Sequence, residues 1–245
     1  MLVIEISPNS RIFIGNKNQP RFKIQACMKY FFPLLALFAS AQAQAQVPCA
    51  ADLVNHHALQ NPACAKNYQA LELDVFNFFK NKNPQTESAG AVQTIPVVVH
   101  IIHDNGPENI PDTQIEQAIQ WLNQALANAG PFDKGSGADT EIQLCLARRT
   151  PDNQDTDGII RKQSPLTVIA DIATNDATLK NLSRWNPKEY LNIWVVRSIC
   201  SNSLGCGVAA YAYHPVFHGL NFDGIVIEAA YFGSTAGNTA ALVHE

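Results

Sequence analysis

An almost uninterrupted run of apolar residues covers residues 95–102, Ile-Pro-Val-Val-Val-His-Ile-Ile. A β-branched run of this length between polar turns predicts a strand that is buried on both faces, at the centre of a sheet. Residues 190–197 and Ile225–Glu228 have the same character and predict two more strands. Residues 141–147 alternate between apolar and polar, which predicts a strand covered chiefly on one face.

A helix is predicted behind the first of these strands. Its apolar positions recur at the 3.6-residue period: Ile115, Ile119, Leu122 and Leu126. Asp112 is the expected N-cap, and Gly130 with Pro131 ends the pattern. Residues 238–245 indicate the opening of a second helix. The order strand, helix, strand, strand, strand, helix predicts an α/β fold, with layers in the α+β manner.

The N-terminal region has a different pattern. Met28 and Lys29 precede a short apolar run over residues 30–40, and Ala-Gln-Ala repeats over residues 41–45 offer small-x-small cleavage sites. This order predicts a secretory signal peptide over residues 28–45, too short to span a bilayer. Residues 1–27 are then interpreted as a mis-assigned upstream extension. The expected location of the protein is secreted or periplasmic.

The region after the leader, residues 46–93, is polar, rich in Asn and Gln, and has one helical patch. We interpret it as a pro-segment and linker, and residues 94–245 as the main domain. The 245 residues are 47% hydrophobic and 16% charged, which fits a folded domain. A net charge of −4 without a Lys/Arg cluster argues against nucleic acid and against a membrane partner after signal cleavage. The oligomeric state is left open.

Export permits disulfides, and an odd number of cysteines remains after the leader. Cys200 and Cys206 enclose a short Ser/Asn/Gly loop and could pair locally. Cys49 and Cys64 could also pair, which leaves Cys145 over. Spacing alone does not derive the connectivity.

The chemistry of the chain depends on its last two residues, His244 and Glu245. In a helix that carries H-E-x-x-H, two histidines on one face bind zinc and the glutamate acts as general base. Only the first two residues of this motif are present here. A His-Glu pair on its own is more often an exposed pair without a catalytic role. The segments that precede this pair strengthen its interpretation as the start of a zinc-binding motif.

Several segments, in this order, resemble the pappalysin family of metzincin zinc metallopeptidases. They are IPVVVHIIHDNG, IPDTQIEQAIQWLNQAL, EIQLCLA, DTDGI, WNPKEYLNIWVV, GVAAYAYHP, DGIVIEAAYFG and GNTAALVHE. The resemblance covers about residues 95–245. It implies a metzincin-like upper subdomain, with a mixed twisted sheet, a backing helix and the start of the active-site helix.

The resemblance also implies roles for particular residues. His244 corresponds to the first zinc ligand and Glu245 to the catalytic base of a secreted zinc endopeptidase that hydrolyses peptide bonds. The strand of Ile225, Val226, Ile227 and Glu228 corresponds to an edge strand that binds the peptide substrate in extended form. The remaining ligands and the lower subdomain are missing from these residues. We therefore expect the chain to be truncated within its zinc motif, and inactive in this form.

Some alternatives stay open beside this interpretation. The chain could be an exported, non-catalytic binding or adhesion module, or a decayed pseudo-peptidase. A thiolate from Cys49 or Cys64 could occupy the open zinc position and keep a peptidase latent, although a disulfide between the two is favoured. Turn aspartates, Asp104, Asp155 and Asp157, could bind calcium, although ordinary turn chemistry explains them as well. His100 and His103 lie on opposite faces at the end of the first strand, and one of the two is expected to be a core or rim histidine.

Overall fold

The computed structural model describes residues 3–7, 11–15, 49–81 and 91–245. The predicted signal peptide and most of the predicted upstream extension lie outside these residues. The chain divides into two compact units, Met1–Gln46 and Val47–Glu245. The described part of the first unit is an antiparallel strand pair, β1 (Val3–Ser7) and β2 (Arg11–Gly15).

The second unit contains five α-helices and nine strands among its described residues. In chain order they are α1 (Ala51–Leu59), α2 (Pro62–Asn81), β3 (Gln93–His103), α3 (Asp112–Leu126), β4 (Ile142–Leu146), β5 (Ile159–Gln163), β6 (Val168–Ile169), α4 (Ile172–Lys180), β7 (Leu191–Val196), β8 (Ser198–Ser201), β9 (Gly205–Cys206), β10 (Ala210–Tyr211), β11 (Ile225–Glu228) and α5 (Ala236–His244). Single 3-10 turns lie at Gly130–Phe132, Pro165–Thr167, Pro215–Phe217 and Ala229–Tyr231. No helix in these described stretches is both long and apolar enough to cross a membrane.

Strand β3 lies at the centre of the main sheet. On one side its first half pairs with β4 and its second half with β5, and on the other side it pairs with β7, all in parallel. Side chains from Val97 to Ile102 are all buried, so both faces of the strand are covered. The predicted central strand is confirmed, because an unbroken apolar run can be satisfied only between two layers.

Beyond β7 the sheet continues through β11 to β10. Strand β11 is parallel to β7, and β10 is antiparallel to β11 and forms this edge of the sheet. The prediction that Ile225–Glu228 is an edge strand is therefore wrong. It failed because a short apolar run has the same pattern at the second position of a sheet as at its edge.

The two faces of the sheet carry two cores. Helices α3 and α5 cover one face, where Ile115 and Leu242 pack against the inward side chains of β3. Helix α4 and the start of α1 cover the other face, around Trp194. The predicted α3 is confirmed, but Asp112 is its first residue and Pro111 stands at the cap position without a side-chain bond. The Asp112 carboxylate instead accepts a hydrogen bond from Arg161.

A small second sheet lies beside the main one, in the order β6, β8, β9. Strands β8 and β9 form an antiparallel pair in which Cys200 and Cys206 stand directly opposite each other. These two cysteines form a disulfide, as their spacing suggested. The layered α/β fold is the one that the order of predicted elements indicated.

Candidate metal centre

Three metal-ligating side chains meet at the end of α5. The Cys49 sulfur, a ring nitrogen of His244 and a carboxylate oxygen of Glu245 all lie within 4.8 Å of one another. Within residues 49–81 and 91–245, no other group of three such side chains comes together. His244 is the last residue of α5, Glu245 follows it, and Cys49 precedes α1.

The position of α5 is set by its first turn and by one buried face. The Thr235 hydroxyl accepts a hydrogen bond from the Asn238 N–H at 3.0 Å, which caps the helix. Thr239 and Leu242 face the interior and are buried. His244 stands on the exposed side of the helix, so its imidazole is available to a ligand.

The thiol of Cys49 contacts the carboxylate of Glu245 directly. Its Sγ donates to Oε1 at 3.0 Å. Burial raises the pKa of Glu245, while the Cys49 bond, the His244 charge and the Ala212 N–H oppose that rise. Burial, with help from Glu245, raises the pKa of Cys49 to about 11. At neutral pH the thiol is therefore protonated and acts as the donor of this pair.

The segment around α1 brings Cys49 to this position. The Ala50 N–H donates to the Ala210 carbonyl at 3.2 Å, on the free side of β10. The Asn55 side chain binds the backbone of Ala212 and His214 a few residues further on. These bonds place the start of α1 against the sheet edge that lies next to α5.

The predicted Cys49–Cys64 disulfide is wrong, because both residues have free thiols. Docking of α1 on the sheet edge places the Cys49 sulfur on Glu245, while Cys64 belongs to α2. Cys145 is also free and is exposed on β4. Cys49, for which the sequence left a disulfide and a ligand role open, is thus the cysteine of the candidate metal centre.

The four residues of β11 do not contribute side chains to the three-donor cluster. Ile225, Val226 and Ile227 are buried between the two core layers. The Glu228 carboxylate accepts a hydrogen bond from the Ile199 N–H at 2.8 Å and so joins the main sheet to the small one. The edge next to the cluster is formed by β10, which is short and has only weak signals in the sequence.

The aspartates considered for calcium do not come together. Asp155 forms an ion pair with Arg149 at 2.7 Å, and Asp157 accepts a hydrogen bond from the Ile159 N–H. Asp104 accepts a long bond from Gln163, at 3.5 Å. Their contacts are separate, and the described residues bring no calcium site together from these three aspartates.

A groove of about 630 Å³ lies elsewhere, between α3, β4 and the start of β5. Its lining includes Glu116, Asn123, Cys145 and Arg148, and none of the three clustered donors. The candidate metal centre is therefore separate from this groove and lies at the junction of α5 and the segment before α1.

No known protein family and no curated protein matches the chain by sequence. Two solved structures from Tannerella forsythia resemble it. A promirolysin mutant has 28% identity and a TM-score of 0.55, and the match covers 75% of this chain and 60% of that one. Mature mirolysin in complex with a cleaved peptide has 29% identity and a TM-score of 0.51, with 60% of this chain and 57% of that one covered.

The chain thus spans about 60% of the length of the promirolysin that it matches. It has the mixed α/β, metzincin-like fold of the mirolysin structures, with a twisted mixed sheet and flanking helices. The likeness places the chain among proteins with a metalloprotease-type fold.

Proposed function

We propose that the chain is part of a secreted zinc-dependent endopeptidase, in which His244 is a metal ligand and Glu245 the general base. One observation carries the proposal. In a metalloprotease-type fold, the donors of Cys49, His244 and Glu245 converge within 4.8 Å at the end of a helix. The mature mirolysin that the chain resembles is in complex with a cleaved peptide, which supports a peptide as the substrate class.

The donor set fits zinc. Thiolate sulfur, imidazole nitrogen and carboxylate oxygen are the ligand atoms that zinc accepts in proteins. His244 and Cys49 would hold the ion in the form described here. By resemblance to the H-E-x-x-H motif, further histidine ligands would follow Glu245 in the complete protein.

Zinc in such a centre supplies Lewis-acid chemistry that makes water a nucleophile near neutral pH. Glu245 would accept the proton of the attacking water and later return it to the leaving amine. Its burial suits that role, because a raised carboxyl pKa brings a general base closer to the operating pH. In the structure described here, Oε1 of Glu245 accepts a hydrogen bond from the Cys49 thiol.

We further propose that the pro-segment predicted over residues 46–93, of which the structure describes residues 49–81, keeps the peptidase latent. Cys49 would place its sulfur at the zinc coordination position that the attacking water would otherwise occupy. It would also cover the general base, Glu245. The match to promirolysin covers 75% of this chain, whereas the match to mature mirolysin covers 60%. The larger share covered by the promirolysin match is consistent with a counterpart of this segment in promirolysin.

Secretion is part of the same proposal. It depends on the leader predicted over residues 28–45, and the disulfide between Cys200 and Cys206 supports it because disulfides persist in oxidising compartments. N-terminal sequencing of the protein from periplasm and medium should give a first residue near position 46. A mature protein that retains residue 28 would contradict the predicted cleavage.

Metal analysis and cleavage assays test the main proposal. In the complete protein, Glu245→Ala should lower casein cleavage by roughly a hundredfold to ten-thousandfold, which is the usual contribution of a general base. In the present chain, His244→Ala should lower zinc affinity. The control His218→Ala changes an exposed histidine in a loop away from α5 and should leave zinc affinity unchanged. Unchanged zinc binding in His244→Ala would contradict the proposal and favour the alternative of a non-catalytic binding module.

A further inference from the structure

A buried ion pair lies beside β10. Lys180 of α4 places Nζ 2.9 Å from Oδ1 of Asp176, which precedes it by one turn of the same helix. The Lys180 side chain is fully buried, and Nζ also donates to the Phe222 carbonyl at 2.6 Å. Nζ lies over the rings of Tyr211 and Tyr213, 5.4 and 4.6 Å from their centroids. The contacts of this cation thus join three separate segments of the chain.

Asp176 also binds the two tyrosines that flank Ala212. The Tyr211 hydroxyl donates to Oδ1 at 2.8 Å and the Tyr213 hydroxyl donates to Oδ2 at 3.0 Å, so both carboxylate oxygens are in use. Burial, with help from Asp176, raises the pKa of both tyrosines, so each hydroxyl keeps its proton and acts as a donor. Lys180 supplies the counter-charge that a buried carboxylate requires.

The main sheet does not hold Ala212 in place. Strand β10 ends at Tyr211, and its ladder with β11 covers only two residues. The Ala212 carbonyl accepts from Asn55, which belongs to the proposed pro-segment and not to the main domain. The Ala212 N–H bonds to the carboxylate of Glu245. Within the main domain, the position of this N–H therefore depends on the neighbouring tyrosines and on Asp176, to which they are tied.

We propose that Asp176, with Lys180 as its counter-ion, is a positioning residue for Glu245 and acts through the backbone of Ala212. The two tyrosines fix the backbone on both sides of Ala212, and the Ala212 N–H then orients the Glu245 carboxylate. A general base must lie within hydrogen-bond reach of the proton that it accepts, so a small displacement of its carboxylate lowers the rate. The inference rests on the proposed function, in which Glu245 is that base.

Removing the tyrosine hydroxyls tests the proposal. Tyr211→Phe, Tyr213→Phe and the double variant keep both rings over the ammonium group and delete one or two donors to Asp176. The matched control is Tyr190→Phe, which deletes the bond from a tyrosine hydroxyl to the Arg149 carbonyl at 3.1 Å, a contact outside this cluster. The control therefore makes the same chemical change without altering the support of the general base.

Hydrogen exchange in the full chain, followed by NMR at single amides, gives the first readout. The double variant should speed exchange of the Ala212 amide by roughly tenfold or more, since two hydrogen bonds to a buried carboxylate are lost. Exchange in β3 should stay slow, and the control should leave the Ala212 rate unchanged. An unchanged Ala212 rate in the double variant would overturn the proposal. Equal acceleration in β3 and at Ala212 would also overturn it, because the cluster would then act on global stability alone.

Kinetics of the complete protein give the second readout. The double variant should lower kcat for a peptide substrate by roughly tenfold and leave KM within about twofold, because a general base acts in the chemical step. Rates are taken per bound zinc, so that a smaller folded fraction does not count as a loss of kcat. An unchanged kcat, or a raised KM alone, would contradict a positioning role.

The two readouts separate this inference from the proposed function. Activity of the complete protein that persists in Glu245→Ala would remove the general base, whatever the exchange at Ala212 shows. Activity that depends on Glu245, together with an unaltered double variant, would keep the peptidase and remove the role of Asp176.

Discussion

His100 illustrates how burial decides the role of a histidine. Its side chain is inaccessible, stacks on the Trp194 ring at 5.0 Å and places Nε2 at 2.9 Å from the Asn192 amide oxygen. Burial lowers the pKa of His100 to about 4. The residue is therefore a neutral core histidine in the folded protein at pH 7, whereas the sequence left open which of His100 and His103 is the buried one.

This pKa predicts a pH dependence of stability. Above pH 6.5 the imidazole is neutral in both states, and as pH falls from 6.5 towards 4 the unfolded state alone takes up the proton. The free energy of unfolding should then fall by about 3 kcal/mol over this range. Urea denaturation at pH 7.5 and pH 4 measures it. Equal losses of stability in wild type and in His100→Phe, which stacks but does not titrate, would contradict the assignment.

A second residue-scale feature is the paired contact between Glu108 and Arg197. The guanidinium Nε and Nη2 each lie 2.8 Å from one carboxylate oxygen of Glu108, whose side chain is fully buried. The hydrogen bonds from Arg197 hold the pKa of Glu108 down at about 2. The pair ties the loop after β3 to the end of β7.

Glu108→Gln should lower the free energy of unfolding by roughly 1–2 kcal/mol at pH 7, because the charge-assisted hydrogen bonds with the partly exposed Arg197 are weakened. The folded-state pKa is depressed, so this contribution is present above about pH 4.5 and is lost as pH falls towards 2. The control is Asp155→Asn, which breaks the exposed pair with Arg149 and should cost less than about 1 kcal/mol. Denaturant curves at pH 7 and pH 3 distinguish the two, and equal losses would contradict the prediction.

At the scale of elements, both edges of the main sheet are covered by an asparagine amide from a helix. Asn55 of α1 does this for β10. Asn123 of α3 does it for β4, where Nδ2 donates to the Leu144 carbonyl at 2.8 Å and Oδ1 accepts from the Leu144 N–H at 2.7 Å. Covering an edge in this way blocks pairing with another chain at that point.

The β4 contact gives an element-scale prediction. Asn123→Ala leaves the Leu144 backbone groups unpaired and should cost roughly 1–3 kcal/mol of stability. It should also raise the amide exchange of β4 relative to β3. Gln120→Ala, a change on the exposed surface of the same helix, is the control and should be close to neutral. Thermal melts with hydrogen exchange measure both, and equal effects of the two variants would show that the edge is not protected by Asn123.

The sequence predicted the secondary-structure elements better than it predicted which elements lie next to each other in the fold. The run of residues 95–102 identified β3, and Ile225–Glu228 matches β11 at both ends. The pairing of β11 on both sides could not be derived, because β10 has only two residues and no usable alternation. The side-chain contacts of Asn55 carry no pattern at all, since they join α1 to a loop far along the chain.

At the scale of the whole molecule, the candidate centre joins the two ends of the second unit. His244 and Glu245 were predicted from a motif and from the order of segments. Cys49 could not be assigned from sequence, because its contact with Glu245 spans 196 positions while a disulfide partner stood nearby at Cys64. Long-range contacts of this kind follow from the docking of elements, which local spacing does not encode.

Burial is distributed unevenly across this unit. Helix α2 has no buried residue, and it exposes several large apolar side chains, Leu71, Leu73, Val75, Phe76, Phe78 and Phe79. Strand β3 is covered on both faces. We expect native-state hydrogen exchange to be fastest in α2 and slowest in β3, because local opening follows the amount of buried apolar contact. Equal protection in the two elements would contradict this order.

The position of β3 also has a consequence for how the chain folds. Gln93 of this strand pairs with Ile142, Val99 with Ile159, and Val97 with Leu191, so its partners are synthesised one after another, long after the strand itself. Loops must close before these parallel pairings contribute, which makes the folding of such a sheet slow. During that interval a β-branched apolar segment stays unpaired and prone to aggregation. A protein built around this strand should depend on a chaperone until β7 has been made.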